Sequence, residues 1–160
     1  MASDMFLKLG NGIKGETKDS KHKDELDIMS FSWGVSNPTS NYGGGLSAGK
    51  ASFGDFSFTF RMCNASPKLA IACATGEHIK DAILTCRKSG KTPQEYLIFK
   101  FYDLLVSSYQ TGYSSGQDEA YDSAAMSYSK LEWTYKAQKA DGSLEAGLDF
   151  KYSLKENKAL

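Results

Sequence analysis

The segment that most resembles a chemical site is a glycine-rich stretch ending in lysine, residues 44–51 (GGLSAGKA). It matches the G-x-x-x-x-G-K pattern of a phosphate-binding loop as far as Lys50. That loop next requires a Ser or Thr hydroxyl to hold magnesium, and Ala51 stands there instead. A phosphate-binding loop also opens a helix, whereas residues 51–60 alternate as a strand does. We therefore predict no nucleotide site.

Histidine and cysteine give no ligand set either. His22 and His78 are the two histidines, far apart in the chain, and a zinc site needs three or four converging ligands. The three cysteines are Cys63, Cys73 and Cys86, an odd number without a CxxC pair, so we expect no disulfide framework. No G-x-S-x-G elbow is present. The sequence predicts no catalytic residue, no metal site and no cofactor.

Length and charge exclude further classes of function. The chain has 160 residues, which predicts one domain over residues 1–160. Nineteen basic and nineteen acidic residues cancel, so no basic excess points to nucleic acid. The N-terminus, MASDM, carries an acid, and no apolar run approaches the ~18 residues of a membrane span. We expect synthesis in the cytoplasm, no membrane insertion and no cleaved signal peptide.

The elements that must position any site are mostly strands. Apolar and polar residues alternate with period two over residues 56–60, 82–87, 130–136 and 148–155, which is typical of half-buried strands. Residues 96–106 are apolar on both faces, so we expect this strand to be covered by the core on one side and by a helix, loop or neighbouring subunit on the other.

One helix is predicted, with Ser66 as its N-cap, Pro67 as its first residue and Gly76 as the residue that ends it. The mixed charge run over residues 17–25 (TKDSKHKDE) predicts a solvated loop. Asp141 and Gly142 predict a turn between the last two strands.

Residues 26–35 (LDIMSFSWGV) predict a strand with two unlike faces. The apolar face carries Met29, Phe31, Trp33 and Val35. The opposite face carries only small residues, Ser30, Ser32 and Gly34. Such side chains are too short to fill a core, so we expect this face to line water or a cavity. The long Gly/Ser/Asn segment over residues 36–50 follows, and loops of this length are usually functional or disordered, so we expect a docking arm.

An ordered set of short segments resembles the Hcp (haemolysin-coregulated protein) family, the tube protein of type VI secretion. In chain order these segments are residues 4–8 (DMFLK), 13–16 (IKGE), 31–34 (FSWG), 55–59 (DFSFT), Ser66-Pro67, Cys73-x-x-Gly76-x-His78, 84–88 (LTCRK), 95–97 (EYL), 106–108 (VSS) and 138–142 (QKADG). The chain departs from the family pattern at residues 60–64 (FRMCN) and matches it poorly over residues 117–130.

This resemblance implies a compact antiparallel barrel of two β-sheets with one flanking α-helix and a long extended loop. It also implies homohexameric rings that stack into a tube, which a contractile sheath expels behind a VgrG-type spike. Small effector proteins would travel in the lumen, and the protein would leave the cell without a signal peptide. No enzymatic activity is implied.

Two sets of residues take roles from the resemblance. The residues of the inter-subunit or inter-ring loop would be Asn41, Tyr42, Gly43, Gly44, Gly45, Leu46 and Lys50. The residues lining the lumen would be Ser30, Ser32 and Gly34. Two other interpretations remain open: the tail-tube protein of a phage-like contractile particle, and a monomeric β-barrel that binds a small ligand.

Overall fold

The structure, a computed structural model, describes residues 3–41 and 43–160 and is mainly β with one helix, as predicted. The elements in chain order are β1 Ser3–Leu9, β2 Leu26–Ser32, β3 Val35–Ser36, β4 Thr39–Ser40, β5 Ser47–Ala48, β6 Ser52–Phe53, β7 Phe56–Arg61, α1 Ala65–Thr75, β8 His78–Lys88, β9 Gln94–Gly112, β10 Tyr121–Tyr135, β11 Leu148–Ser153 and β12 Lys158–Ala159.

Six strands close into an antiparallel barrel. Their order is β10, β7, β2, β1, β8 and β9, and β9 pairs back with β10 to complete the ring. Strand β11 continues the sheet from the second half of β10, and β12 pairs with β11. Closure pairs each of the six barrel strands on both sides, which removes the usual template for uncontrolled strand pairing.

Aromatic side chains from the alternating strands fill the barrel. Phe56, Phe58 and Phe60 point inward from β7 and are at most 2% exposed, as their period-two spacing predicts. The ring of Phe101 on β9 stacks on that of Phe56, with centroids 4.5 Å apart. Burying such side chains is the main source of stability, about 1.5–3 kcal/mol for each one removed from water.

The helix α1 packs against β9 and starts differently from the prediction. Its N-cap is Asn64, and Ser66 lies within the first turn, where its Oγ accepts the N–H of Cys63 at 3.0 Å. The predictions of Ser66 as N-cap and of Pro67 as first helical residue are therefore wrong, because the helix begins at Ala65. Gly76, with φ +71°, ends the helix as predicted, its N–H bonded to the carbonyl of Ala72. Within the described residues no helix is long and apolar enough to cross a membrane.

Two irregularities explain apolar patterns that do not alternate simply. In β9, inward positions change from odd (Phe99, Phe101) to even (Leu104, Val106) across Asp103, whose φ is +52°. Many of the apolar residues that the sequence places on two faces therefore point inward, because the inward positions change from odd to even numbers along the strand. The helix α1 also covers part of this strand.

In β2, the register with β7 shifts between Ile28 and Ser30, so Met29 sits at a bulge and is 46% exposed. Phe31 and Trp33 do pack against the core, whereas Val35 is exposed. The predicted apolar face is thus wrong at Met29 and Val35, because the bulge and the end of the strand interrupt the alternation.

The charge run over residues 17–25 is a loop, as its composition predicts, but it is solvated only in part, because two of its residues, His22 and Glu25, are buried. His22 is buried, its ring stacked on Phe6 with centroids 4.5 Å apart. Its Nδ1 lies 2.9 Å from Glu25 and its Nε2 lies 2.9 Å from Glu95. Because each polar atom of this ring has a charged partner, the loop can fold down onto the barrel wall.

Candidate interaction surfaces

A patch of short, mostly hydroxyl-bearing side chains covers the outer side of four neighbouring barrel strands. We call it the polar face. Its two cross-strand rows, running from β2 through β7 and β10 to β9, are Ser30, Thr59, Ser123 and Gln110, and Ser32, Ser57, Ala125 and Ser108. The rows form because each of these residues alternates with an inward neighbour along its strand.

The two rows of the polar face contain no charged side chain. A shallow cavity of about 230 Å³ opens over them. Ser30 Oγ and Thr59 Oγ1 are 2.6 Å apart, so these hydroxyls satisfy each other. The residues that line this cavity include no histidine that could activate a hydroxyl as a nucleophile. Such a surface can exchange hydrogen bonds with water or with a passing polypeptide, and it leaves the space above it open.

One carboxylate extends the polar face at the end where β7 begins. Asp55 accepts hydrogen bonds from Ser107 Oγ at 2.6 Å and from Ser127 Oγ at 3.3 Å. The surface therefore gains a negative charge at that end, held in place by two neighbouring strands.

The predicted lumen residues fall unequally on this surface. Ser30 and Ser32 belong to the polar face, whereas Gly34 lies beyond the end of β2, where its carbonyl accepts the N–H of Gly54 at 2.9 Å. The residues that sequence reasoning missed are Ser57, Thr59, Ser108, Gln110, Ser123 and Ala125. Ser57 and Thr59 had a usable signal, since they alternate with three phenylalanines.

The second surface is a projecting hairpin, residues 35–53, which we call the arm. Its base pairs Val35 with Phe53 in the β3–β6 ladder, and its outer part pairs Ser40 with Ser47 in the β4–β5 ladder. Between the ladders, Gly49 donates its N–H to the carbonyl of Pro38 at 2.8 Å. The predicted long loop is thus a two-part β-ribbon rather than an irregular segment.

The predicted contact residues of the arm lie at and near its tip. Asn41, Gly43, Gly44, Gly45, Leu46 and Lys50 are all exposed, and Tyr42 lies outside the described residues. Gly43 and Gly44 have φ of +81° and +86°, conformations that favour glycine. Leu46 is 77% exposed, an apolar side chain without cover in the single chain. The glycine-rich stretch forms this ribbon and leads into β6, not into a helix, which agrees with the rejected nucleotide site.

The third surface is a cleft of about 450 Å³ at the opposite end of β2 and β7 from the arm, which we call the end cleft. Its lining residues are Glu16, Thr17, Asp27, Arg61, Met62, Cys63, Glu119 and Ala120. Arg61 Nε lies 3.2 Å from Glu119, and Met62 is 48% exposed. Sequence reasoning did not find this cleft, which joins segments far apart in the chain.

The residues whose side chains could take part in a reaction are held in contacts that stabilise the fold. His78 pairs its Nδ1 with Asp103 at 2.8 Å on the surface. Burial raises the pKa of the Cys86 thiol to about 11 and also raises the pKa of Cys63, which disfavours reactive thiolates at both. Over residues 3–41 and 43–160, no cluster of His, Cys, Asp and Glu could hold a metal ion.

A buried arginine fixes the 17–25 loop to the barrel. Arg87 donates to both carboxylate oxygens of Asp19 at 2.6 and 3.1 Å and to Asp4 at 3.1 Å. The hydrogen bonds from Arg87 lower the pKa of Asp19 to about 2. Arg87 also stacks over the ring of Phe6, 4.9 Å from its centroid. These contacts hold the loop against the barrel, so the cluster has a structural role.

Comparison with known proteins finds a matching family model and a similar protein. The family model described as "Type VI secretion system effector, Hcp" matches residues 6–135. Protein hcp1 of Pseudomonas aeruginosa is 40% identical over 160 residues, an alignment that covers 98% of each chain.

Solved structures share the fold over nearly the whole chain. A type six secretion system protein superposes with a TM-score of 0.93 at 31% identity, covering 99% of this chain and 100% of the other. Hcp1 from Salmonella typhimurium gives 0.79 at 32% identity with both chains fully covered. A type VI secretion system effector from Yersinia pestis gives 0.77 at 30%, covering 94% and 99%.

Proposed function

Since the chain belongs to the Hcp family of type VI secretion proteins, we propose that it is a structural tube subunit, assembling into hexameric rings that stack into a tube. The observation that carries this proposal is the polar face. A row of four strands whose outer side chains are short and hydroxyl-bearing suits the wall of a water-filled channel. The family is one of secreted structural proteins rather than of enzymes, and we propose no catalytic role.

The mechanism is geometric. A ring closes when two different surfaces on the sides of each subunit meet its neighbours by the same rotation, and rings stack when their upper and lower ends are complementary. With the polar face turned inward, six copies would surround a lumen lined by Ser30, Ser32, Ser57 and Thr59. Side chains this short leave the channel wide, and their hydroxyls offer weak, replaceable hydrogen bonds to cargo.

The partners follow from this role. We propose a VgrG-type spike at the tip of the tube, a contractile sheath around it and small effector proteins in the lumen, with no nucleic acid partner and no cofactor. Made in the cytoplasm, the subunit would leave the cell through the type VI apparatus without a cleaved signal. The match to a type VI secretion family and the likeness to a type six secretion system protein favour this role over a phage tail tube or a monomeric ligand-binding barrel.

Negative-stain electron microscopy of the purified protein, paired with its mass from light scattering, tests the ring. Rings with six-fold symmetry and an open centre, at the mass of six chains, are the expected outcome. A monomer at micromolar concentration would overturn the proposed function and restore the ligand-binding barrel as the better explanation.

The channel wall is tested separately by Ser32→Gln. The longer side chain should narrow the lumen without touching the barrel core, so rings form as before while a co-expressed effector is retained less well. Ser115→Gln, in the exposed loop before β10, is the matched control and should leave both unchanged. Unchanged retention in Ser32→Gln would remove Ser32 from the lumen.

A further inference from the structure

The loop that carries the charge run is a small hairpin whose tip rests on the wall of the barrel. The N–H of Asp24 donates to the carbonyl of Thr17 at 2.9 Å, which joins the two legs of the hairpin. Residues 18–23 form the part between the legs, which we call the tip. The ring of His22 in the tip stacks on that of Phe6 in β1, and Phe6 is only 6% exposed as a result.

Two ionic contacts tie the tip to the barrel, and they respond differently to pH. In the first, Arg87 donates to Asp19 at 2.6 Å, and the hydrogen bonds from Arg87 lower the pKa of Asp19 to about 2. This contact therefore keeps its charges throughout the neutral and alkaline range. The second joins Nε2 of His22 to Oε1 of Glu95, at the start of β9, at 2.9 Å. Because histidine side chains ordinarily change charge near neutral pH, the second contact is the one that pH can break.

The ring of His22 faces a carboxylate at each of its two nitrogens. Nδ1 lies 2.9 Å from Oε2 of Glu25, and Nε2 lies 2.9 Å from Oε1 of Glu95. A neutral imidazole carries one N–H, and an ionised carboxylate carries no proton to donate. A neutral ring between two ionised carboxylates would therefore set one nitrogen lone pair against an oxygen lone pair. Both contacts are satisfied only when the three groups together hold one further proton.

The surroundings of the ring favour keeping that proton while the tip is closed. Burial raises the pKa of the Glu25 carboxyl, so the cluster binds a proton more readily than separate groups in water do. A proton bound more tightly in the closed form stabilises that form at lower pH, and this contribution is lost as the pH rises. Carboxylates outnumber cations in this cluster of side chains, which consists of Asp19 and Glu25 from the loop, Asp4 and Lys8 from β1, Arg87 from β8 and Glu95 from β9.

We propose that the tip is a pH-operated latch, closed on the barrel while the cluster keeps its extra proton and released when that proton passes to water or hydroxide at alkaline pH. The contact with Glu95 is the one that opens, because its side chain is 38% exposed, against 11% for Glu25. Asp19 stays bonded to Arg87 and acts as the hinge. The released tip uncovers Phe6. This latch belongs to the single chain and does not depend on the proposed tube.

Hydrogen exchange of the purified full chain, followed by mass spectrometry, tests the latch. Relative to the exchange rate of an unstructured chain, residues 18–23 should lose about tenfold in protection between pH 6.5 and pH 9, while β9 stays protected. Glu95→Gln should lose less than about threefold, because an amide can accept from a ring N–H or donate to a bare ring nitrogen. Glu145→Gln, at an exposed position outside the cluster, is the matched control and should behave as the unmodified chain does.

A second variant keeps the test decisive. His22→Gln has no ring to titrate, so protection of its tip should not change between the two pH values. The latch is overturned by tip protection that stays constant with pH in the unmodified chain, or by an equal loss in Glu95→Gln. If β9 also loses protection in Glu95→Gln, that variant has unfolded and His22→Gln decides: a tip that responds to pH as before overturns the latch, and a tip that does not respond supports it.

Discussion

The barrel and the arm are built from the same kind of strand but are stabilised in opposite ways. In the barrel, inward side chains such as Phe56 and Phe101 are completely buried. In the arm, every described residue from Val35 to Lys50 is exposed. The barrel core offsets the entropy of ordering its strands, whereas the arm has only short hydrogen-bonded ladders to do so. The exposed residues of the arm therefore contribute little to the stability of the single chain.

The largest effect is expected from truncating the barrel core. Phe101→Ala should lower the free energy of unfolding by about 3–5 kcal/mol, because it removes a ring stacked on Phe56 and leaves a cavity. In the arm, Leu46→Ala should change it by less than about 0.5 kcal/mol, since the side chain is mostly in water. Urea denaturation of both variants measures the difference. Comparable losses would mean that the arm is part of the cooperative fold.

A smaller effect is expected from adding one methyl group. A Cβ on Gly15 would lie 2.3 Å from the carbonyl oxygen of Glu25, so Gly15→Ala should destabilise the barrel by about 1–3 kcal/mol through forced backbone movement. A Cβ on Gly45, in the arm, would meet nothing within 4 Å, and Gly45→Ala is the matched control. Thermal unfolding followed by circular dichroism compares them. Equal melting temperatures would contradict the close approach of residues 15 and 25.

Lowering the pH should destabilise the barrel wall through protonation of Asp19. Its pKa in the folded chain is about 2, below the ordinary 3.8, because Arg87 stabilises the charged form. A lowered folded-state pKa adds stability above pH 3.8 that is lost as the pH falls towards 2. Near pH 7, Asp19→Asn should therefore unfold at a lower denaturant concentration than the unmodified chain. Between pH 4 and 2, its free energy of unfolding should depend less steeply on pH. A difference from the unmodified chain that persists below pH 2 would argue for another cause.

The smallest effect on stability is expected from limited proteolysis, which should cut the chain at one place first. Trypsin should cut first after Lys50, because the arm is exposed and lacks a core, while Lys100 inside β9 stays protected. Because the arm contributes no buried core, the chain cut after Lys50 should melt within about 2 °C of the intact chain. Mass spectrometry of a brief digest locates the cut. A first cut within the barrel strands would contradict this expectation.

Local pattern predicted much of the barrel. Alternation over residues 56–60 placed the phenylalanines inward and Ser57 and Thr59 outward, as the structure has them. Gly76 ends the helix as its position predicts. Where the sequence pattern predicted wrongly, the cause was a contact with a residue that is distant in the chain but close in the fold. Composition predicts that residues 17–25 are solvated, but His22 is buried, with Glu95 on a distant strand as one of its partners.

The fold class, the single helix, the small outward residues of β2 and the family can all be read from the amino-acid sequence, because period-two alternation and short motifs are local properties. Which residues share a surface depends instead on how distant segments pack together. The bulge at Met29 moves that side chain out of the core, a change of parity that alternation cannot foresee. The polar face brings Ser30 on β2 into one row with Ser123 on β10, and the end cleft joins Glu16 to Glu119, because cross-strand register depends on pairing between distant segments.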